Sequence, residues 1–152
     1  ISNGDTPSCS VLEDLSGVDE IRPGNFVFYD VMQLLIVSCT FDQIAVAVDC
    51  PVVAIHNKTR ELVIYVGAVH LSKEYILDKN GSKNYGLAVK LHKNGWDKPI
   101  PGAYISSLSQ EHGIIHLPDL YMSNFKPGDM IGILPVHSCL TANLLKDDTY
   151  LL

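Results

Sequence analysis

The chain is 152 residues long, 47% apolar and 18% charged, with 11 Lys+Arg against 17 Asp+Glu for a net charge of -6. This composition supports one domain with a proper core and excludes a disordered tail; the acidic balance, without any basic run or stripe, excludes a nucleic-acid partner. The longest apolar stretches, such as Ile44-Ala45-Val46-Ala47-Val48, are far too short to span a bilayer, and no basic segment leading into an apolar core marks a signal peptide, so no membrane role is expected.

In chain order, Ile1 to Ser8 is a loop of small and hydroxyl residues, followed by a short helix expected over Ser10-Val11-Leu12-Glu13-Asp14-Leu15, with Ser10 as N-cap and Glu13 at capping-box spacing. Arg22-Pro23-Gly24 is a turn that launches an extended segment, Asn25-Phe26-Val27-Phe28-Tyr29. Phe41-Asp42-Gln43 is at most one turn of helix. Ile44 to Val48 and Pro51 to Ile55 are short, β-branched and strand-like; His56 to Arg60 is a polar turn and Glu61 to Val66 returns, which predicts a hairpin with a longer loop. His70 reads as a hydrogen-bonded residue at a strand end, His56 and His92 as solvated turn residues, and Trp96 as a cap on the core. Gly86 to Leu91 is a strand with Leu87, Val89 and Leu91 on one face, and Gly102 to Leu108 and Ile114 to Leu117 are further strands. Lys126-Pro127-Gly128-Asp129 turns into a final strand, Met130 to Leu134, beyond which Ala142 to Leu145 bends helically. Many short strands punctuated by Gly and Pro predict a mostly β fold, a barrel or sandwich.

Cys9, Cys39, Cys50 and Cys139 form no Cys-x-x-Cys pair. With this much core they need not be staples, which points to a reducing, cytoplasmic setting over a sparse disulfide set. The lack of an initiator Met and the Ile1-Ser2-Asn3-Gly4 opening read as the middle of a longer protein.

Three segments carry chemistry. In Pro135-Val136-His137-Ser138-Cys139, residues two apart in an extended chain share a face, so an imidazole and a thiolate converge on one ion, a borderline-soft pair suited to zinc. Two ligands do not complete a site, and a bare His-x-Cys is weak on its own. The Ser2 to Ser8 loop offers backbone N–H groups and hydroxyls to a phosphate, although Asp5 would repel one if turned inward; the alternative is an ordinary surface turn. In Ser109-Gln110-Glu111-His112-Gly113, Glu111 could orient the His112 ring as support behind a site, or the segment is an exposed polar turn.

Taken together and in order, Ser2-x-Gly4-Asp5-Thr6-Pro7-Ser8, Val18 to Asp30, Gly67 to Lys73, Ser109 to Gly113 and Pro135 to Cys139 resemble the D-threonine aldolase/D-serine dehydratase family, pyridoxal-phosphate (PLP) enzymes of alanine-racemase-like, fold-type III architecture. The resemblance implies that residues 1–21 are the end of an N-terminal α/β (TIM-type) barrel and that 22–152 are a C-terminal antiparallel β-barrel-like domain. It implies Gly4, Asp5 and Thr6 at the cofactor phosphate and His137 and Cys139 on a divalent metal, zinc favoured and manganese or magnesium possible. It implies a D-β-hydroxy amino acid as substrate and a head-to-tail homodimer. Cys139 favours the dehydratase branch, where the aldolase branch commonly has Asp, whereas Gly67 to Lys73 looks like a less characterised aldolase/racemase-like branch. The cofactor-bearing lysine of the family lies on the barrel's first strand and no lysine here matches it, so the isolated chain is expected to be inactive. The rival readings are a metal-free amino acid racemase and a non-catalytic β-barrel binding module.

Overall fold

A computed structural model describes residues 1–151. It opens on a small parallel unit: Ser2–Asn3 (β1) pairs with Glu20–Ile21 (β2), and the crossover a parallel pair requires contains the helix Thr6–Val11 (α1). The helix begins five residues earlier than the Ser10 capping box predicts. Asp5 is the N-cap, its carboxylate accepting from the Ser8 N–H at 2.8 Å. Ser10 instead turns back on the Thr6 carbonyl at 2.7 Å, and Asp14 accepts from the Ser16 N–H at 2.8 Å, a local turn that draws the chain away from further helix.

The extended segment expected over Asn25 to Tyr29 is not a strand. Phe28 and Tyr29 both donate to the Asn25 carbonyl, and Tyr29 sits at φ 46°, so the segment coils into turns. Among the described residues no strand lies alongside to pair with it, and Asp30 ends it by capping the helix Val31–Leu35 (α2) through the Gln33 N–H at 2.8 Å. Phe41–Gln43 is one turn of 3-10 helix, and the strand expected from Ile44 starts only at Val48.

Beyond it the hairpin is as predicted: Val48–His56 (β3) and Glu61–Ile64 (β4) pair antiparallel with His56 opposite Glu61. The chain then forms the short helix Ala68–Leu71 (α3), the hairpin Ile76–Leu77 (β5) and Lys83–Asn84 (β6), the strand Gly86–Val89 (β7), and a second small hairpin of Leu91–His92 (β8) and Gly95–Trp96 (β9). Tyr104–Leu108 (β10) and Gly113–His116 (β11) follow, then the helix Asp119–Met122 (α4), the strand Met130–Pro135 (β12), the helix Ser138–Leu144 (α5) and a 3-10 turn, Lys146–Asp148. Six strands close into an antiparallel barrel in the order β10-β11-β4-β3-β12-β7.

Period-2 alternation fills the barrel. Val48, Cys50 and Val52 of β3, Leu62 and Ile64 of β4, Ile115 of β11 and Ile131 and Ile133 of β12 all belong to one buried cluster. In β3 the register shifts between Val52 and Ala54, leaving Val53 45% exposed, and the inward set passes from even positions to Ile55. β10 does the same between Ile105 and Ser107, bringing Leu108 inward. Leu87 and Val89 share a face as predicted, but it is the outside of the barrel. There, with Leu134 and Trp96, they cover a second cluster built on Tyr29, Val31, Cys39 and Ile44. The Tyr29–Ile44 segment is therefore an outer layer clamped on β7 and β12, beside the end of β12 from which the candidate metal residues emerge.

Candidate functional site

β12 ends at Pro135, and the chain passes through buried Val136 to His137, which is extended at φ -133°, ψ 97° and is the N-cap of α5. Cys139 therefore lies in the first turn of a helix, and the sequence argument that His137 and Cys139 share a face of an extended strand does not hold. Both residues nonetheless line one open cleft of about 540 Å³, together with Gly4, Asp5, Thr6, Gly24, Asn25, Asp30 and Glu74. A helical turn, instead of a pleat, brings the two donors to the same space.

The thiol of Cys139 donates to the Gly24 carbonyl at 3.4 Å and to Asn25 Oδ1 at 3.5 Å. Burial, and secondarily the negative charge of Asp30, push it above the ordinary cysteine range. It is a protonated donor facing two oxygens, and an ion entering here would replace its proton. Among the described residues no group of three or more His, Cys, Asp or Glu side chains is placed to hold a metal. His137 and Cys139 offer a borderline-soft ion two protein ligands, one fewer than the three of an ordinary catalytic zinc site.

The N-terminal loop approaches from the other side. Thr6 is buried, and its Oγ1 accepts from the Asn25 N–H at 3.0 Å, which leaves the hydroxyl proton free to donate into the cleft. Asp5 does not stand as a bare charge against a phosphate. Its carboxylate is taken by the hydroxyl and N–H of Ser8, which hold it below the usual carboxylate range. The loop thus fits an anionic group through the Thr6 hydroxyl and local backbone.

Glu111 and His112 lie elsewhere. Both are exposed on the β10–β11 loop and neither lines the cleft. The His112 ring stands edge-on to Tyr65 at 5.4 Å between centroids, and His70 does so at 5.7 Å. His70 is hydrogen-bonded as expected, but in α3 and not at a strand end: its Nδ1 accepts from the Gly67 N–H at 3.0 Å. All four cysteines are free thiols. Among the described residues no helix is long and apolar enough to cross a membrane. The residues that sequence reasoning missed are Asn25 and Asp30, which join the two sides of the cleft. The signal was present, since Asp30-Val31-Met32-Gln33 has the spacing of a helix N-terminus.

Residues 45–150 match the family model described as "Putative serine dehydratase domain". The chain is 32% identical over 155 aligned residues to a D-serine dehydratase of Dictyostelium discoideum, covering 97% of this chain and 38% of that protein. An ala racemase-like protein of Idiomarina loihiensis superposes at a TM-score of 0.80 with 31% identity, covering 94% of this chain and 38% of that one. The D-threo-3-hydroxyaspartate dehydratase of Delftia sp. HT23 superposes at a TM-score of 0.79 with 26% identity, covering 95% and 38%. That dehydratase has also been solved as a cysteine-to-alanine mutant in the metal-free form and as a histidine-to-alanine mutant, the two positions being two residues apart. The chain spans about 38% of the length of these relatives.

Proposed function

The chain belongs to the serine dehydratase domain family, and from that premise we propose that it is the carboxyl-terminal β-barrel part of a PLP- and divalent-metal-dependent lyase that eliminates water from D-β-hydroxy amino acids. One observation carries the reading: a loop from the start of the chain, Gly4 to Thr6, and a turn from its end, His137 to Cys139, line the same cleft. The His-x-Cys spacing is also that of the histidine and cysteine replaced in the Delftia dehydratase, one of whose mutants is metal-free. Residues 1–21 are on this reading the end of a parallel α/β barrel, in keeping with the parallel β1–β2 pair and its α1 crossover.

PLP, when bound, supplies an electron sink at the substrate α-carbon, and a metal supplies a Lewis acid at the β-hydroxyl. The residues of this chain bind and orient. The Thr6 hydroxyl and the backbone of Gly4 to Thr6 hold the phosphate, while the Asp5 carboxylate is turned onto Ser8, where it caps α1. The His137 imidazole and the Cys139 sulfur hold the ion, zinc by donor softness. Val136 and Met32 give the cleft its apolar wall. The enzyme works as a homodimer in a reducing, cytoplasmic compartment, and the chain alone, without the cofactor-bearing lysine, is inactive.

The test is made in the longer enzyme that carries this chain. His137→Ala and Cys139→Ala should each abolish keto-acid formation from D-serine while leaving the PLP absorbance in place, and chelation should reproduce the loss. Keto-acid formation that survives both the substitutions and chelation would overturn the metal reading, and conversion of D-serine to L-serine without keto acid would favour the metal-free racemase.

A further inference from the structure

Between the two sides of the cleft lies a carboxylate with no cationic partner among the described residues. Asp30 is 1% exposed and takes three N–H donors: the Gln33 backbone at 2.8 Å on Oδ1, and the Ser138 backbone at 3.1 Å and the Asn25 side-chain amide on Oδ2. A charge this deep is retained only where such donors satisfy it. The bond to Ser138 spans 108 residues of sequence and caps the first turn of α5, in which Cys139 lies. Asn25 extends the chain of bonds in both directions. Its N–H donates to Thr6 Oγ1 at 3.0 Å, and its Oδ1 accepts from the Cys139 thiol at 3.5 Å. A single amide orientation serves both side-chain bonds of Asn25, its NH2 toward Asp30 and its oxygen toward the sulfur.

We infer that Asp30 is a positioning residue that locks the His137–Cys139 turn to the Gly4–Thr6 loop, so that the donors on the two sides of the cleft keep one fixed arrangement. The inference rests on the reading of those segments as metal and phosphate sites. Asp30 acts by holding Ser138 on one side and Asn25 on the other. Only a carboxylate can accept all three N–H groups, because an asparagine would turn its own NH2 against one of them.

The test titrates Co(II) into the 152-residue chain and follows the thiolate-to-Co(II) absorption, with Cys139→Ala as the blank. Asp30→Asn should weaken Co(II) binding about tenfold or more, with an unchanged far-UV circular dichroism spectrum. A second pair breaks the same bond from the other side, with folding again checked by circular dichroism. Proline is common at the first helical position, and its ring would take the place of the N–H that meets Asp30 and push the carboxylate away. Ser138→Ala and Ser138→Pro both lose the hydroxyl bond to the Tyr29 carbonyl, but only the proline also loses the N–H to Asp30. Ser138→Pro should therefore bind Co(II) about tenfold more weakly than Ser138→Ala. Equal affinities within each pair, or a lowered melting temperature with unchanged affinity, would overturn the inference. If the unsubstituted chain shows no Cys139-dependent band, it is the metal reading that has failed. The lock is then judged by the alkylation rate of Cys139 with iodoacetamide: about tenfold faster in Asp30→Asn upholds it, and an equal rate overturns it.

Discussion

Gly67→Ala is a severe test of how the rim of the barrel is built. Gly67 is buried at φ -137°, a backbone that any residue adopts, so only space keeps a side chain out. A Cβ there would lie 2.4 Å from the Gln110 carbonyl oxygen and 2.6 Å from the carbonyl carbons of Gln110 and Glu111. These are backbone atoms, and no rotamer change relieves the clash. The β10–β11 loop must move back, which stretches the Ala68 N–H bond to the Ser109 carbonyl, now 2.9 Å, and the Val69 N–H bond to the Gln110 carbonyl, now 3.1 Å. Overpacking costs about 2 kcal/mol, and two weakened backbone hydrogen bonds add about 1 kcal/mol each. A loss of about 4 kcal/mol is a large part of the about 5–15 kcal/mol that holds a domain together. With a urea slope of about 2 kcal/mol/M, the unfolding midpoint falls by about 2 M. The assay is a urea melt followed by the fluorescence of Trp96, the one tryptophan, which packs against the outer cluster. Gly24→Ala is the control, since a Cβ there meets nothing within 4 Å. A Gly67→Ala midpoint as close to the parent's as the control's would refute the reasoning. Because α3 packs on α5, the substitution should also loosen the turn that carries Cys139.

Three further outcomes follow from the same structure. Treating the chain with PLP and borohydride should give only slow, scattered lysine labelling, and a single stoichiometric adduct seen by mass spectrometry would show that the cofactor-bearing lysine had been misplaced. The Asp5 carboxyl, held low by the Ser8 hydroxyl and N–H, should titrate below the ordinary aspartate value by NMR. Its folded value lies below its unfolded one, so its cap on α1 is fully present above the ordinary value and is lost as pH falls through the folded value. Asp5→Asn should remove that pH dependence, and a carboxyl titrating at or above the ordinary value would refute the cap. Cys50, fully buried and with its thiol pushed up by burial and then by Asp49, should resist thiol reagents until the barrel unfolds, whereas Cys139 reacts in the native state; early labelling of Cys50 would mean that the barrel opens locally.

Local pattern was enough for the parts of this protein in which neighbours in sequence do the work. The β3–β4 hairpin, the shared face of Leu87 and Val89 in β7, the apolar runs of β11 and β12, and the turn at Lys126 to Asp129 are written in apolar patterning and turn residues, whose geometry is settled within a few positions. The residues of the proposed site, His137, Cys139 and the Gly4 to Thr6 loop, are singled out by type and order alone. Tertiary structure decided what sequence spacing could not. Asn25 to Tyr29 has the composition of a strand but, among the described residues, no partner strand beside it, and β structure is stable only when another strand satisfies its backbone, so it became turns on the outside of the barrel. The bulges at Val53 and Ser106, which change which residues face inward, answer to barrel closure and carry no local signal. Likewise His137 and Cys139 converge through a helical first turn whose N–H is held by Asp30, 108 residues away in sequence. A hydrogen bond over that separation exists only once the outer layer and the barrel have packed together, and the cleft exists with it.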